Sequence, residues 1–534
     1  MELRIAAITS RSVTVERINS GKYESIPCSV YLNDQPVKET SGNVISVFGL
    51  EPDSEYSLSV REGNETGTVS FCTKQETLLL DVHAFGAKGD GLTNDAPAIQ
   101  AAIACCPKGG TVYLPRGTYL STPLFAKSDM TIWIDEGAVL LGVTDRNQYP
   151  VLPGMVRSLY DNQTEMSFGS WEGNPLDCFA ALLTAVDAEN LTVMGQGIIN
   201  GNADASDWWI DRTVKRIAWR PRLIFLNHCR NVTVQGLNIR NSPSWTIHPY
   251  YSSDLKFLDL TIENPYNSPN TDGFDPESCT DVLLLGTRIS VGDDCVAIKS
   301  GKLYMASAHH RSSERIEIRN CLFEHGHGSV TIGSEIAGGV RDVHVSKCRF
   351  IGTDRGVRIK TRRGRGERSV LSDLLFEEIL MERVNMPVTV NMHYFCDPDG
   401  HSCYVQSQEM RERDYLTPSI GTITLKNTEC RDVSTSLVCA CGLPESPIGH
   451  ITLENITASF IPEQDRKPAV PLMMDGFEPV SGESLWLKNV VDLDVNHLNI
   501  QGENIHDPVL LTSMNMRIQN AVISGEPLRT VSQN

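Results

Sequence analysis

The chain has 534 residues and a formal net charge of −19, from 47 lysines and arginines against 66 aspartates and glutamates. This balance argues against a general affinity for nucleic acid or for anionic membranes, so any anionic ligand must be bound by a local group of cations. Apolar residues make up 40% of the chain and charged residues 21%, as in globular proteins, and no run approaches the roughly 18 apolar residues that span a bilayer.

The amino terminus and the cysteines bear on location. The first seven residues contain no apolar core of secretory length and lead directly into a strand-like pattern. The fifteen cysteines are scattered without the spacing of metal ligands, so we interpret them as buried, reduced thiols. We therefore expect a cytoplasmic protein, or a secreted one if a leader has been removed.

Residues 1–75 have the pattern of a separate small β-sandwich. Short runs that alternate with period two are separated by turn residues, namely Ser12–Val15, Ser29–Leu32, Val44–Val47 and Tyr56–Val60. The segment Leu50–Tyr56 resembles the leucine-proline-tyrosine corner of fibronectin type III domains. The alternative is an unrelated small sandwich.

A polar link, Lys74–Thr77, separates this module from a glycine-rich turn at Phe85–Gly91. The glycine spacing fits neither a dinucleotide fingerprint nor a P-loop. Asn94 and Asp95 are placed to cap a helix predicted over Ala96–Cys105. The stretch resembles the entry segment of pectinase-type β-helices, in which the first helix covers the open end of the solenoid.

One short pattern then recurs along the chain: a polar residue, an apolar one, a variable one and another apolar one. Its first apolar position falls at Val232, Leu255, Val282, Ile316 and Val343, at intervals of 23, 27, 34 and 27 residues. Strand-forming repeats of this period indicate a solenoid. We predict an all-β protein in which a right-handed parallel β-helix spans residues 78–534 after the sandwich. Later coils are expected at Ile420–Leu425, Ile451–Leu453 and Leu493–Ile500.

Two insertions interrupt the repeat, at Asp145–Asp177 and Asn200–Arg222. They carry Trp171, Trp208, Trp209 and Trp219. Insertions in a solenoid project from one face, often the binding face, and aromatic side chains there suit sugar rings. The alternative is that these tryptophans pack the loops onto the solenoid.

Four polar signatures lie within 91 residues: Asn270–Gly273, Gly292–Asp294, Gly326–Gly328 and Arg358–Lys360. Equivalent positions in successive coils lie about 4.8 Å apart, so residues 20 to 35 positions apart in sequence become neighbours. Three clustered carboxylates raise the pKa of at least one member. A protonated acid beside ionised carboxylates is what hydrolysis of a glycosidic bond requires. Each signature alone would more often be a turn.

In this order the signatures resemble those of the family 28 glycoside hydrolases, the polygalacturonases. The resemblance implies hydrolysis with inversion and without a metal or other cofactor. It implies that Asp293 is the general acid and that Asp272 and Asp294 hold and activate the water. His327 would support the acid and bind sugar.

The resemblance also implies residues that bind substrate. Asn270 would shape the site beside the scissile bond, Arg358 and Lys360 would bind a galacturonate carboxylate on the leaving-group side, and Tyr394 matches loosely a substrate-binding tyrosine. Independently, the segment Arg355–Arg368 contains six arginines and one lysine against one glutamate, and we assign Arg363 within it to substrate binding. Guanidinium groups suit carboxylates because they bind them bidentately.

The sequence thus predicts an enzyme that cleaves α-1,4-galacturonosyl linkages of oligogalacturonate or another pectin-derived substrate. The insertions favour attack at a chain end. Alternatives are an endo-polygalacturonase, a xylogalacturonan hydrolase, a pectate lyase, or a non-catalytic sugar-binding β-helix. No nucleic acid, membrane, metal or cofactor is expected, and no particular oligomeric state is predicted.

Overall fold

The structure, a computed structural model, describes residues 1–18, 25–512, 515–528 and 531–533. It contains two kinds of β-sheet. Antiparallel sheets form a small amino-terminal sandwich, and parallel sheets form a right-handed β-helix, as predicted. Among the described residues, no helix has both the length and the apolar character that crossing a membrane requires.

The sandwich has one three-stranded and one four-stranded sheet. The first contains Glu2–Ile8, Ser12–Ile18 and Val44–Phe48, and the second contains Gln35–Thr40, Cys28–Leu32, Glu55–Glu62 and Glu65–Cys72. Alternate residues meet in a shared core that includes Val13, Val30, Ile45 and Leu58. At the corner expected from the sequence, the Glu51 N–H donates to Tyr56 Oη over 3.0 Å.

Each coil of the β-helix has up to three strands, which stack on those of the next coil. The first strands are Leu79–Asp81, Gly110–Leu114, Met130–Ile134, Glu189–Gly195, Arg230–Gln235, Ser253–Leu258, Thr280–Leu285, Ser313–Arg319, Val340–Ser346, Val370–Glu377 and Ser419–Ile420. The second strands are Asp90–Asn94, Gly117–Ser121, Ala138–Gly142, Ile198–Asn200, Asn238–Arg240, Thr261–Glu263, Arg288–Ser290, Leu322–Glu324, Arg349–Ile351 and Leu380–Glu382.

In the last coils the first two strands merge into one. Throughout the β-helix, the third strands form sheets of their own. The merged strands are Thr422–Val433, Ile448–Phe460, Val490–Gln501 and Asn515–Ile523. The third strands are Leu124–Ala126, Leu183–Val186, Ile224–Asn227, Ile247–Tyr250, Val296–Ile298, Gly328–Ile332, Arg355–Lys360, Met386–Asn391, Ser436–Cys441, Glu483–Lys488, Val509–Leu511 and Val531–Gln533.

Short elements decorate the coils. The remaining strands are Val151–Leu152, Met155–Arg157, Glu165–Ser167, Cys178–Phe179 and Glu526–Pro527. The α-helices are Ala96–Cys105, Leu303–Ala308 and Cys403–Gln406, and the 3-10 helices are Val82–Phe85, Arg146–Gln148, Ala203–Ala205 and Glu463–Asp465.

The stacking register confirms the repeat read from the sequence. Val232 pairs with Leu255, Leu255 with Val282, Val282 with Ile316 and Ile316 with Val343, and all five are at most 2% exposed. Because side chains alternate along a strand, the intervening polar residues point outward. The periodic apolar positions thus build one continuous core inside the coils.

The helix Ala96–Cys105 begins and ends as predicted, and its buried residues Ile99 and Ile103 join the core of the first coils. Capping follows only half of the expectation. Asn94 Oδ1 accepts the Ala96 N–H over 3.1 Å, whereas Asp95 turns back to accept the N–H groups of Lys88 and Gly89 at 2.7 and 2.9 Å. Asp95 therefore holds the glycine-rich turn.

The sandwich packs against the turns between first and second strands. Gly236 and Gly286 have φ of +76° and +66°, and a Cβ there would lie 2.2 Å from Phe48 Cζ and 2.4 Å from Val44 Cβ. Only glycine allows this approach. Glu16 adds a buried ion pair with Arg319, at 2.6 Å to Nε. The two parts are therefore firmly joined.

Candidate active site

The four signatures lie at or in third-strand positions of successive coils. Asp272 precedes Phe274, which bridges to Val296, and Asp293 and Asp294 precede the strand Val296–Ile298. That strand pairs with Gly328–Ile332, which in turn pairs with Arg355–Lys360. Stacking thus brings residues from four separate segments to one edge, as the spacing predicts.

Glycines in the signatures make this close approach possible. A Cβ on Gly328 would lie 2.8 Å from Asp294 Oδ1, and one on Gly326 would lie 2.5 Å from the Asp293 carbonyl oxygen. Gly273 is equally confined, since its Cβ would lie 2.6 Å from the Cys295 carbonyl oxygen. The glycines of these motifs are therefore needed for packing around the carboxylates.

One oxygen from each of Asp272, Asp293 and Asp294 lies within 4.8 Å of the others. Asp272 and Asp294 are 3% and 1% exposed, whereas the Asp293 side chain is 21% exposed. His327 Nδ1 lies 3.1 Å from Asp293 Oδ1, and this hydrogen bond raises the pKa of His327. Asp293 is thus the carboxyl group that a substrate can reach most directly.

Two cations neutralise Asp294. Burial opposes its ionisation, but Lys360 and Arg358 outweigh burial and hold the pKa of this carboxyl well below its usual range. Arg358 Nη1 donates to Oδ1 over 3.0 Å and Lys360 Nζ to Oδ2 over 2.9 Å. Asp294 therefore stays ionised. Because both Asp294 oxygens are engaged, the three carboxylates have little capacity left for a metal cation, and we assign no metal to them.

Asp272 has the opposite environment. Burial, Asp275 and Asp293 all raise its pKa, and its Oδ1 is buried without a hydrogen-bond partner among the described residues. The nearest cation is Lys299, whose Nζ lies 3.7 Å from Oδ2 of Asp272 and 3.2 Å from Asp275. Three carboxylates at this spacing cannot all be charged without cost, so the cluster retains a proton more readily than separate aspartates do.

The carboxylates open into a cleft of about 640 Å³. Beyond Asp294 the cleft is cationic and is lined by Arg355, Arg358 and Lys360, with Tyr394 alongside. Beyond Asp272 it is lined by Trp245, Lys299, Lys302, Glu335 and Glu172. The two ends therefore differ in charge, because the second combines lysines with glutamates.

Comparison with known proteins identifies the family to which the chain belongs. Residues 157–442 match the family described as "Glycosyl hydrolases family 28", and residues 79–154 match "Rhamnogalacturonase A/epimerase, pectate lyase-like". The first match covers more than half of the chain. The chain belongs to glycosyl hydrolase family 28. It is therefore a glycoside hydrolase.

Relatives of this family 28 enzyme span most of it. A "Probable polygalacturonase" of Vitis vinifera is 28% identical over 77% of the chain and 79% of the relative. An "Endo-polygalacturonase" of Pectobacterium parmentieri is 30% identical over 66% and 81%. The solved structure of a Yersinia enterocolitica family 28 exopolygalacturonase has a TM-score of 0.66 at 17% identity and covers 98% of this chain and 95% of its own, which supports the fold.

Most residues that the sequence assigned to the family 28 site line the cleft. They are Asn270, Asp272, Asp293, Asp294, His327, Arg358, Lys360 and Tyr394. Asn270 Oδ1 accepts a hydrogen bond from Arg220 Nη2 at 2.6 Å, which fixes its amide. Tyr394 packs under the cationic pair, its ring centroid 5.9 Å from Arg358 Cζ and 5.4 Å from Lys360 Nζ.

The assignment of Arg363 to substrate binding is wrong. Its side chain is 1% exposed and does not line the cleft. It forms a double hydrogen bond with Glu445, at 2.6 and 2.9 Å, and donates to the carbonyls of Tyr404 and Ser407. Because residue 363 lies in the turn after the strand, strand alternation no longer directs its side chain toward the cleft.

None of the insertion tryptophans lines the cleft, which favours the interpretation that they pack the loops onto the solenoid. Trp208 is fully buried against Tyr149 and Phe179 and packs its loop onto the coils. Trp171 stacks between Trp219 and Trp245, with centroids 4.9 and 6.5 Å away, and Trp245 is the member of this row that lines the Asp272 end of the cleft.

Several cleft residues were not identified from the sequence. Lys299, Glu335 and Glu172 belong to no signature. A signal existed for Lys299, a charged residue that directly follows the buried strand Val296–Ile298. For Glu172 the decisive feature is the path of a long loop, which no local pattern reveals.

Proposed function

We propose that this family 28 enzyme hydrolyses α-1,4-galacturonosyl linkages in oligogalacturonate, releasing sugar from a chain end. The observation that carries the proposal is the trio of carboxylates within 4.8 Å of one another beside Arg358 and Lys360. A uronic acid polymer supplies both a glycosidic oxygen for the acid and a carboxylate for the cations. The names of the polygalacturonase relatives support the same substrate class.

In the proposed mechanism Asp293 donates its proton to the leaving oxygen. It is the most exposed of the trio, and His327 orients it through the 3.1 Å hydrogen bond. Asp272 and Asp294 hold the water and accept its proton as the water oxygen bonds to the anomeric carbon. Lys299 supports the ionised form of Asp272, and the cationic pair keeps Asp294 charged.

We propose inversion at the anomeric carbon, as the family resemblance implies. The carboxylates are closer than the roughly 6.5–9.5 Å typical of inverting pairs. A spacing of up to 4.8 Å nevertheless lets one water donate hydrogen bonds of about 2.8 Å to Asp272 and Asp294 together. Proton NMR of the first product tests this, because inversion of an α-linkage yields the β-anomer.

The cations Arg358 and Lys360 are proposed to bind the substrate carboxylate on the leaving-group side. Both already bond Asp294, but a guanidinium has five N–H donors and an ammonium three, so capacity remains. Tyr394 supports the pair from below.

Attack at a chain end is supported by the insertion of residues 145–177, named the end loop here. It runs past the Asp272 end of the cleft and is attached to the third-strand side, where the Lys302 N–H donates to the Gly173 carbonyl over 2.9 Å. Glu172 of this loop and Trp245, on which Trp171 stacks, line that end. We propose that the end loop closes the cleft there, so that a polymer cannot continue past it.

Defined oligogalacturonates test the proposal. Wild type should release monomer or dimer alone at early times, whereas a ladder of products would indicate endo attack. Asp293→Asn should lower kcat by roughly 10²–10⁴-fold, because the general acid is lost. Asp281→Asn is the matched control, since Asp281 pairs with Arg315 on the outer surface. Equal activity of wild type and Asp293→Asn would remove Asp293 from its role, and ultraviolet-absorbing product would indicate a lyase.

The amino-terminal sandwich is proposed to be fibronectin type III-like. Its three-plus-four strand arrangement and the Tyr56 corner support this assignment. The cytoplasmic location expected from the sequence also stays a prediction, which fractionation of the producing cell would test.

A further inference from the structure

Glu172 lies in the end loop and lines the cleft, yet no described residue forms an ion pair with its carboxylate. Its neighbours are strongly engaged: Trp171 stacks in the row of indoles, and Gly173 accepts the Lys302 N–H. Glu172 itself has φ of +46°, a conformation few residues other than glycine adopt. A carboxylate presented to the cleft in this way is available to a ligand.

The end loop is attached at Gly173, directly after Glu172, and at two points before it. The Ser170 carbonyl accepts a hydrogen bond from Arg222 Nη2 at 2.9 Å, and Glu165 accepts one from Tyr304 Oη at 2.7 Å. The guanidinium carbon of Arg222 lies 4.8 Å from the ring centroid of Trp171 and 4.2 Å from that of Trp245. Alternating rings and cations thus give Glu172 a rigid support.

A short series of contacts places Glu172 relative to the catalytic carboxylates. A Cβ on the adjacent Gly173 would lie 2.9 Å from Glu335 Cβ. Glu335 Oε2 lies 3.4 Å from Lys299 Nζ, which lies 3.7 Å from Asp272. The side chains of Glu335 and Lys299 thus connect the end loop to Asp272 through direct contacts, which places the loop near the catalytic carboxylates.

The two lysines at this end are already paired, Lys299 with Asp272 and Glu335 and Lys302 with Asp397, so Glu172 is available there as an acceptor. A glutamate oxygen accepts hydrogen bonds from sugar hydroxyls. Only the terminal sugar of a chain has a free hydroxyl where every internal sugar carries a glycosidic oxygen. An acceptor at a closed end therefore discriminates a chain end from the interior of a chain.

We propose that Glu172 recognises the non-reducing end of the substrate by accepting a hydrogen bond from a ring hydroxyl of the terminal sugar, and that one ring fits between it and Asp272. This inference rests on the proposed function and adds two points to it. The product is a monosaccharide, and Glu172 determines which chain ends are accepted.

The test uses two galacturonate trimers, one saturated and one with the 4-deoxy, unsaturated terminal ring that a lyase leaves. Wild type should release monomer and prefer the saturated trimer by roughly 10-fold or more in kcat/KM, because the other lacks the hydroxyl. Glu172→Gln should lose roughly 10–100-fold on the saturated trimer and little on the unsaturated one, so the preference shrinks. Thermal unfolding of both proteins checks that the variant is folded.

Glu165→Gln is the matched control, because it loosens the same loop outside the cleft. It should keep the wild-type preference. The inference is overturned if dimer is the first product, if wild type does not discriminate, or if Glu172→Gln keeps full discrimination. It is also overturned if Glu165→Gln loses discrimination equally. Inactivity of folded wild type on both trimers would overturn the proposed function itself.

Discussion

Two halves of one cationic segment have different surroundings. Arg358 and Lys360, in the strand Arg355–Lys360, project into the cleft and bond Asp294. Arg362 and Arg365, in the following turn, are 3% and 4% exposed and bond the loop that carries Asp397 and Asp399. Arg363 is buried with Glu445.

The difference shows that charge density in a sequence does not identify a binding surface. Within the strand, alternation sends Val357 and Ile359 inward and the cations outward. Past the strand, the guanidinium groups satisfy backbone carbonyls and acids of surrounding loops. The cations of the strand contact the catalytic carboxylate Asp294. The arginines of the following turn instead shape the loop from which Tyr394 projects.

The largest effect should come from the arginines in the turn after the strand. Arg363→Met leaves Glu445 buried without its partner, which should lower the free energy of unfolding by about 3–5 kcal/mol. The activity per folded molecule should not change. Urea unfolding and active-site titration measure the two quantities. Adding Glu445→Gln should recover part of the stability, and a stable but inactive Arg363→Met would restore Arg363 to substrate binding.

The cations within the strand should affect activity and not mainly stability. Lys360→Met should lower kcat/KM on oligogalacturonate by roughly 100-fold, because Asp294 and the substrate carboxylate both lose a cation. Lys426→Met, which removes a lysine paired with Glu377 away from the cleft, serves as control. Full activity of Lys360→Met would show that the cleft cations are not needed.

A substitution of Lys299 tests the electrostatic environment of Asp272. Activity needs Asp272 ionised, and its pKa is raised, so activity should fall as pH falls through that pKa. The groups that act on Asp272 are Asp275, Asp293, Asp294 and Lys299. Lys299→Met removes the cation that favours the charged form. The acid limb of kcat/KM should therefore move to higher pH by about one unit, while Lys299→Arg keeps it in place. An unmoved limb in Lys299→Met would contradict this role.

The smallest effect is expected at Arg368, the exposed end of the segment. Its Nη1 donates to the Ala306 carbonyl at 2.9 Å. Arg368→Ala should change the free energy of unfolding by less than about 1 kcal/mol and leave kcat/KM unchanged. A clear loss of activity at low salt would mean that the whole segment attracts the substrate.

The sequence predicts what depends on repetition. Val232, Leu255 and Val282 recur because each coil must bury the same position, and the signatures meet because coils stack at a fixed spacing. It does not predict Arg363, because Glu445 reaches it from 82 positions away. Glu172 escapes for the same reason, since its place is set by the contacts of a long loop and not by the period.

The docking of the sandwich has a consequence for how this enzyme is made. Glu16 of the sandwich bonds Arg319, 303 positions later, so the ribosome completes the sandwich long before its docking site exists. Docking covers Leu258 and Leu285, which are fully buried against Val44. Nascent chains therefore expose these apolar side chains until the sandwich binds, and a variant that lacks residues 1–75 would keep them exposed and tend to aggregate.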